Sequence, residues 1–256
     1  MYLFQPKKAG NLDCTFCLDC IKACPHDNVA VLASAPASTL LNDAYRSSIG
    51  RLSKRTDLAA LTLLIVFGAF ANAAGMVAPV MAWEHRWHAR LGAGMMPAIA
   101  AAWIVAGAVL LPALAVLLCG AVNRLTGSGL NIADGARRFA FALVPVGVAM
   151  WAAHLLYHFV TAWGAPIASA GRMIASGATA FAVPFVPGWL TSVQILLLDC
   201  GLLLTLYLCW RIAKQYADRV PKSLGMAAPW AALSCVLYAA GVWILLQPMQ
   251  MRGMMH

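Results

Sequence analysis

Four cysteines, Cys14, Cys17, Cys20 and Cys24, share one eleven-residue window that closes on Pro25, in the stretch NLDCTFCLDCIKACPHDN. Thiolates are soft ligands that suit zinc and iron–sulfur clusters, and spacing selects between these. Three cysteines at steps of three let a short loop wrap one cluster, each thiolate on its own iron. A fourth, three residues further on and before a proline, points elsewhere. Structural zinc sites usually pair two C-x2-C hooks across a longer loop, which this window does not do. A disulfide framework needs an oxidising compartment, and the charge pattern described below places the window in a reducing one.

The run C-x2-C-x2-C-x3-C-P is matched at every position, so this segment resembles the bacterial-type 4Fe–4S ferredoxin family over about 25 residues. The resemblance implies Cys14, Cys17, Cys20 and Cys24 as ligands of a 4Fe–4S cluster. In that family the last cysteine of the run binds the other cluster of a two-cluster protein, and no second C-P pair follows in this chain. Three completions are open: an upstream segment of the same polypeptide, a cysteine motif donated by a partner subunit, or Cys24 bending back to complete a lone cluster. The start MYLFQPKKAG, with no strand-like segment ahead of the motif, favours the first two.

The elements that must carry this segment are mostly apolar. Of 256 residues 62% are apolar and 11% charged, against roughly 45–50% and 25% in soluble domains, so a bilayer is the natural solvent. Five stretches, about 58–82, 95–121, 138–164, 190–210 and 226–247, are long enough to cross a hydrocarbon core, which takes about 20 helical residues. The expected fold is an all-α membrane protein, a five-transmembrane-helix bundle over 58–247. Ahead of it come a short N-terminal cytoplasmic ferredoxin-like iron–sulfur segment (1–30) and a connector (31–57), and an outer tail (248–256) follows. The first span starts too far along, behind too polar a segment, to be a cleaved signal peptide. Residues 165–189, interrupted by Pro166, Pro184 and Pro187, read as an outer-face segment with the character of an interfacial helix. The absence of an internal repeat weighs against an inverted-repeat carrier.

A formal charge of +9 would suggest nucleic acid for a soluble protein. Here the basic residues fall between spans, where they set orientation, and no nucleic-acid partner is expected. Seven precede the first span (Lys7, Lys8, Lys22, Arg46, Arg51, Lys54, Arg55). Three follow the second span (Arg124, Arg137, Arg138) and four the fourth (Arg211, Lys214, Arg219, Lys222), so 14 of the 18 lie on one side. Arg86, Arg90, Arg172 and Arg252 lie on the other. That asymmetry predicts a multi-pass protein of a bacterial inner membrane with its N-terminus cytoplasmic and its C-terminus periplasmic. The basic run RLSKRTD beside the first span is placed to meet anionic lipid head groups or simply to stop at the interface.

Ionisable side chains in hydrocarbon are costly and are functional candidates by default. The third span contains WAAHLLYHF, with His154 and His158 four apart on one face. The fourth contains VQILLLDCG, with Gln194 and Asp199. At about 1.5 Å per residue in antiparallel helices, His154 matches Asp199 in depth and His158 matches Gln194. If the helices are neighbours, each pair can meet. A histidine paired with a carboxylate can exchange protons with a membrane quinone, and the alternative is polar glue between helices. Haem b is a further option, with His85 or His88 of WEHRWHAR at the outer end of the first span opposite His158. Cys119, Cys200, Cys209 and Cys235 read as packing residues.

A cytoplasmic ferredoxin motif joined to several membrane helices is similar to the membrane-bound polyferredoxins of the NapH and NosR type, which move electrons between quinones and redox enzymes. This chain has one motif where those have two, and all its helices follow it. The resemblance implies an electron-transfer subunit and not a complete enzyme, working between a membrane quinone pool and a partner ferredoxin or oxidoreductase subunit. The alternative is a membrane anchor or docking subunit with no quinone chemistry of its own.

Overall fold

The computed structural model describes residues 15–27, 29–30, 38–41, 51–126, 129–164, 169–170, 173, 186–217 and 219–249. Five helices are long and apolar enough to cross a membrane: α1 (Thr56–Ala74), α3 (Met96–Leu125), α4 (Ile132–Ala162), α5 (Leu190–Ala213) and α6 (Val220–Leu246). A shorter helix, α2 (Ala78–Leu91), lies between the first two spans. No strand occurs among the described residues. Most of the segment 165–189 expected on the outer face, and the tail beyond Met249, fall outside them.

The first span is shorter than the apolar run 58–82 suggested. It stops at Ala74, where Gly75 closes the last turn and Val77 is extended (φ −91°, ψ 146°), and Pro79 then opens α2 from its first turn. Proline has no N–H to continue the helix ahead of it and suits a helix start. Val77 pairs with Met249 in an isolated bridge, and the Ala78 N–H donates to the Pro248 carbonyl at 3.0 Å, so the chain following α6 holds this corner. His85 and His88 therefore sit on the separate helix α2 and not on the first span.

Span α3 contains one turn of π-helix at Ala106–Leu110, in which the Leu111 N–H bonds back to the Ala106 carbonyl. Pro112 follows directly and cannot make the ordinary bond to residue 108, so a wider turn re-pairs the freed groups, as hydrocarbon demands. At the start of α4 the Asn131 side chain caps the Asp134 N–H at 2.7 Å.

Helix α4 packs against α1 and, most extensively, against α5, which in turn packs against α6. Close approach is what binds apolar helices to one another in lipid, where no hydrophobic drive separates them from the solvent. At Gly201 of α5 an added Cβ would lie 2.5 Å from the Ala149 Cβ and 2.9 Å from the Pro145 carbonyl oxygen, so only glycine allows this crossing. The core formed there includes Val66, Phe70, Leu143, Met150, Leu198 and Leu237. A second cluster, against which Leu130 and Tyr216 pack, stacks Phe139 on Trp230 at 5.3 Å and buries Cys119 and Cys209. Cys200 and Cys235, also expected to pack, are exposed on the outside of the bundle.

Candidate functional site

The cysteine window is short of regular structure. Thr15–Leu18 is irregular, Asp19–Lys22 forms one helical turn, and the Ala23 N–H closes it on the Asp19 carbonyl at 2.9 Å. Phe16 (φ 55°) and Leu18 (φ 63°) both adopt left-handed backbone on either side of Cys17. Such conformations are uncommon for bulky residues. Cys17 is exposed, and Cys20 and Cys24 are half-buried. Cys14 lies outside the described residues. Among the described residues no three His, Cys, Asp or Glu side chains come together as metal ligands.

The donor set fits a cubane cluster on chemical grounds: thiolates at steps of three. Cys14, Cys17 and Cys20 would hold it, with Cys24 directed either to the same cluster or to a second. A bound cluster would supply one-electron transfer.

Inside the bundle the polar residues form three separate groups. His154 is 2% exposed and lies on the face of α4 toward α1. Its Nε2 is 3.3 Å from Nδ2 of Asn72 in the last turn of α1 and 3.2 Å from Nε2 of His158, one turn along α4. The two imidazole planes stand 85° apart. Nδ1 of His154 is buried with no hydrogen-bond partner. Asn72 is exposed and His158 half-buried, so the cluster reaches the bundle surface at both ends while its centre is closed.

Helices α4 and α5 are neighbours, as the depth argument required, yet the expected pairs do not form. Asp199 accepts from the Tyr238 hydroxyl of α6 at 2.6 Å and not from His154. Gln194 is buried and donates from Nε2 to the Ala153 carbonyl at 2.8 Å, leaving His158 to His154. The reason is rotation: matched depth sets how high two residues stand, and the Gly201 contact turns α5 so that Asp199 faces α6. Thr205 of α5 accepts the Val146 N–H at 3.1 Å. That donor is free because a 3-10 turn at Ala140–Leu143 gives way to α-helix there.

For haem, His85 is exposed on α2, and the Nε2 of His158 is engaged by His154. Sequence reasoning missed Asn72 and Tyr238. Asn72 had a signal, an amide in the otherwise apolar run FGAFANAAG. Tyr238 had none, since tyrosine is common in spans for other reasons.

No protein-family model matches the chain, and no curated protein and no solved structure matches it either.

Proposed function

We propose that this is a membrane-bound iron–sulfur electron-transfer protein that passes electrons between a membrane quinone pool and a cytoplasmic redox partner. The observation that carries the reading is the cysteine run at ferredoxin spacing, set on a loop with left-handed backbone on both sides of Cys17. The distribution of charge supports the orientation. Arg51, Lys54, Arg55, Arg124, Arg137, Arg138, Arg211, Lys214, Arg219 and Lys222 all belong to one end of the bundle, and among the described residues only Arg86 and Arg90 belong to the other.

Quinone chemistry needs a proton donor or acceptor beside the carbonyl oxygens. The unpartnered Nδ1 of His154 suits that role, and His158 carries the proton route outward to the bundle surface. At 2% exposure, His154 is reached only if a neighbouring side chain moves aside.

A second reading, a membrane anchor or docking subunit for a partner redox protein, is favoured by the bonds of Gln194, Thr205 and Asp199, each of which ties one helix to the next. Anaerobically purified protein distinguishes the two. The first reading expects iron and acid-labile sulfide, a visible absorbance bleached by dithionite, and faster bleaching when a quinol is supplied. Iron and sulfide without a response to quinol leave the anchor reading, and stoichiometric zinc with no iron overturns both.

A further inference from the structure

On the outer side of α5 and α6 a carboxyl group stands among apolar side chains. Asp199 lies about 4 Å from the middle of α5 by residue count and is half-buried. Leu196 and Leu203, one turn to either side of it, are exposed, as are Cys235 and Val236 on α6. We propose that this face docks a transmembrane helix of a different protein, one that carries a lysine or arginine near the middle of its span. The inference holds whether or not the cysteine window carries iron.

Three observations carry it. The first is the unfinished bonding of Asp199. Its Oδ1 accepts from the Tyr238 hydroxyl at 2.6 Å, while Oδ2 takes no hydrogen bond or ion pair among the described residues and is open at the bundle surface. A carboxylate within a span is costly, and such groups ordinarily turn inward or meet a cation. Asp199 does neither, so the cation that completes it belongs to a neighbour.

The second observation is shape. On α6 the small residues Ala228, Ala232, Cys235 and Ala239 recur at helical spacing, and all four are exposed. Small side chains in a row let another backbone come close, which is what holds helices together in lipid. The third is what this chain itself can offer. Every lysine and arginine within the five spans lies close to an end of its helix, and His154 is turned toward α1. A second copy therefore has no cation to set at the height of Asp199, and the charge is matched by a different chain.

The test uses the full chain in phosphatidylcholine vesicles. The probe is a synthetic polyleucine transmembrane peptide with a single lysine at its centre and a dansyl group at one end, and binding is read as energy transfer from the tryptophans of the chain. The lysine peptide should bind saturably, and an all-leucine peptide should bind about ten-fold more weakly, the scale of one interhelical polar contact. Asp199→Asn removes the charge and should reduce the lysine peptide to the all-leucine level. Cys235→Phe fills the approach without touching Asp199 and should weaken binding as well, so the test stands even if the Asp199 variant folds poorly. Ile104→Phe, on the exposed side of α3, should bind like the native chain. Equal binding of the two peptides, or native affinity in either Asp199→Asn or Cys235→Phe, overturns the proposal. Energy transfer between differently labelled copies of the chain, lost on Asp199→Asn, would assign the face to a second copy and overturn it equally.

Discussion

His158 Nε2 lies 3.2 Å from His154 Nε2, and that same His154 nitrogen is 3.3 Å from the Asn72 amide nitrogen. An amide nitrogen only donates, so with Asn72 placed this way His154 Nε2 is the acceptor and His158 donates to it. The proton of neutral His154 then sits on Nδ1, the atom with no partner. Protonating Nε2 would set two donors, its own N–H and the Asn72 amide, against each other. A proton exchanged at His154 Nδ1 would then pass, by a change of tautomer, between Nε2 and His158.

If that relay serves a quinone, His154→Asn should slow quinol-driven bleaching of the cluster by on the order of 100-fold, the usual scale of a lost acid–base group. Far-UV circular dichroism should remain native. A native rate in this variant would reduce the pair to a packing contact.

Asp199 and Tyr238 make a different prediction. Tyr238→Phe removes one hydrogen bond between α5 and α6 and should lower stability by about 1–2 kcal/mol in detergent. Asp199→Asn should leave quinol-driven turnover unchanged, because Asp199 faces Tyr238 and not His154. A turnover defect at native stability would return Asp199 to the proton path.

Gly201 reports on helix packing alone. A valine there meets Ala149 and the Pro145 carbonyl, which is backbone and cannot swing away. The expected cost is about 1–3 kcal/mol or more from overpacking, seen as a lowered melting temperature in detergent. Native stability would mean that α4 and α5 do not cross at this point.

Orientation is checked by fusion. A reporter that works only in the periplasm should be active after His256 and silent in the 211–224 loop, which carries Arg211, Lys214, Arg219 and Lys222. The opposite pattern would move the cysteine window to the oxidising side.

Cysteine variants separate the ways of completing the cluster. Cys17→Ser should abolish iron binding in every case. Cys24→Ser should do so only if Cys24 closes the same cluster; if it serves a second one, the isolated chain should hold less than one intact cluster and lose iron readily in air. Co-expression with a subunit carrying a matching motif should then raise iron to about eight per assembly.

The sequence alone determined the number of spans, because a run of about 20 apolar residues has no other stable solution in lipid. The iron–sulfur proposal for the window also rests on the sequence, since thiolate spacing is a local property of the chain. Helix ends were legible where a cap or proline marks them, as at Leu190, and missed at Ala74, where apolar residues on both sides concealed a turn held by Pro248 from the far end of the chain. Height along a helix follows from a count of residues. Rotation about the helix axis does not: it depends on which small residue meets which neighbour, and Gly201 against Ala149 sets it. That one contact sends Asp199 to Tyr238, leaves His154 to Asn72 and His158, and shows why residues at matched depth need not touch.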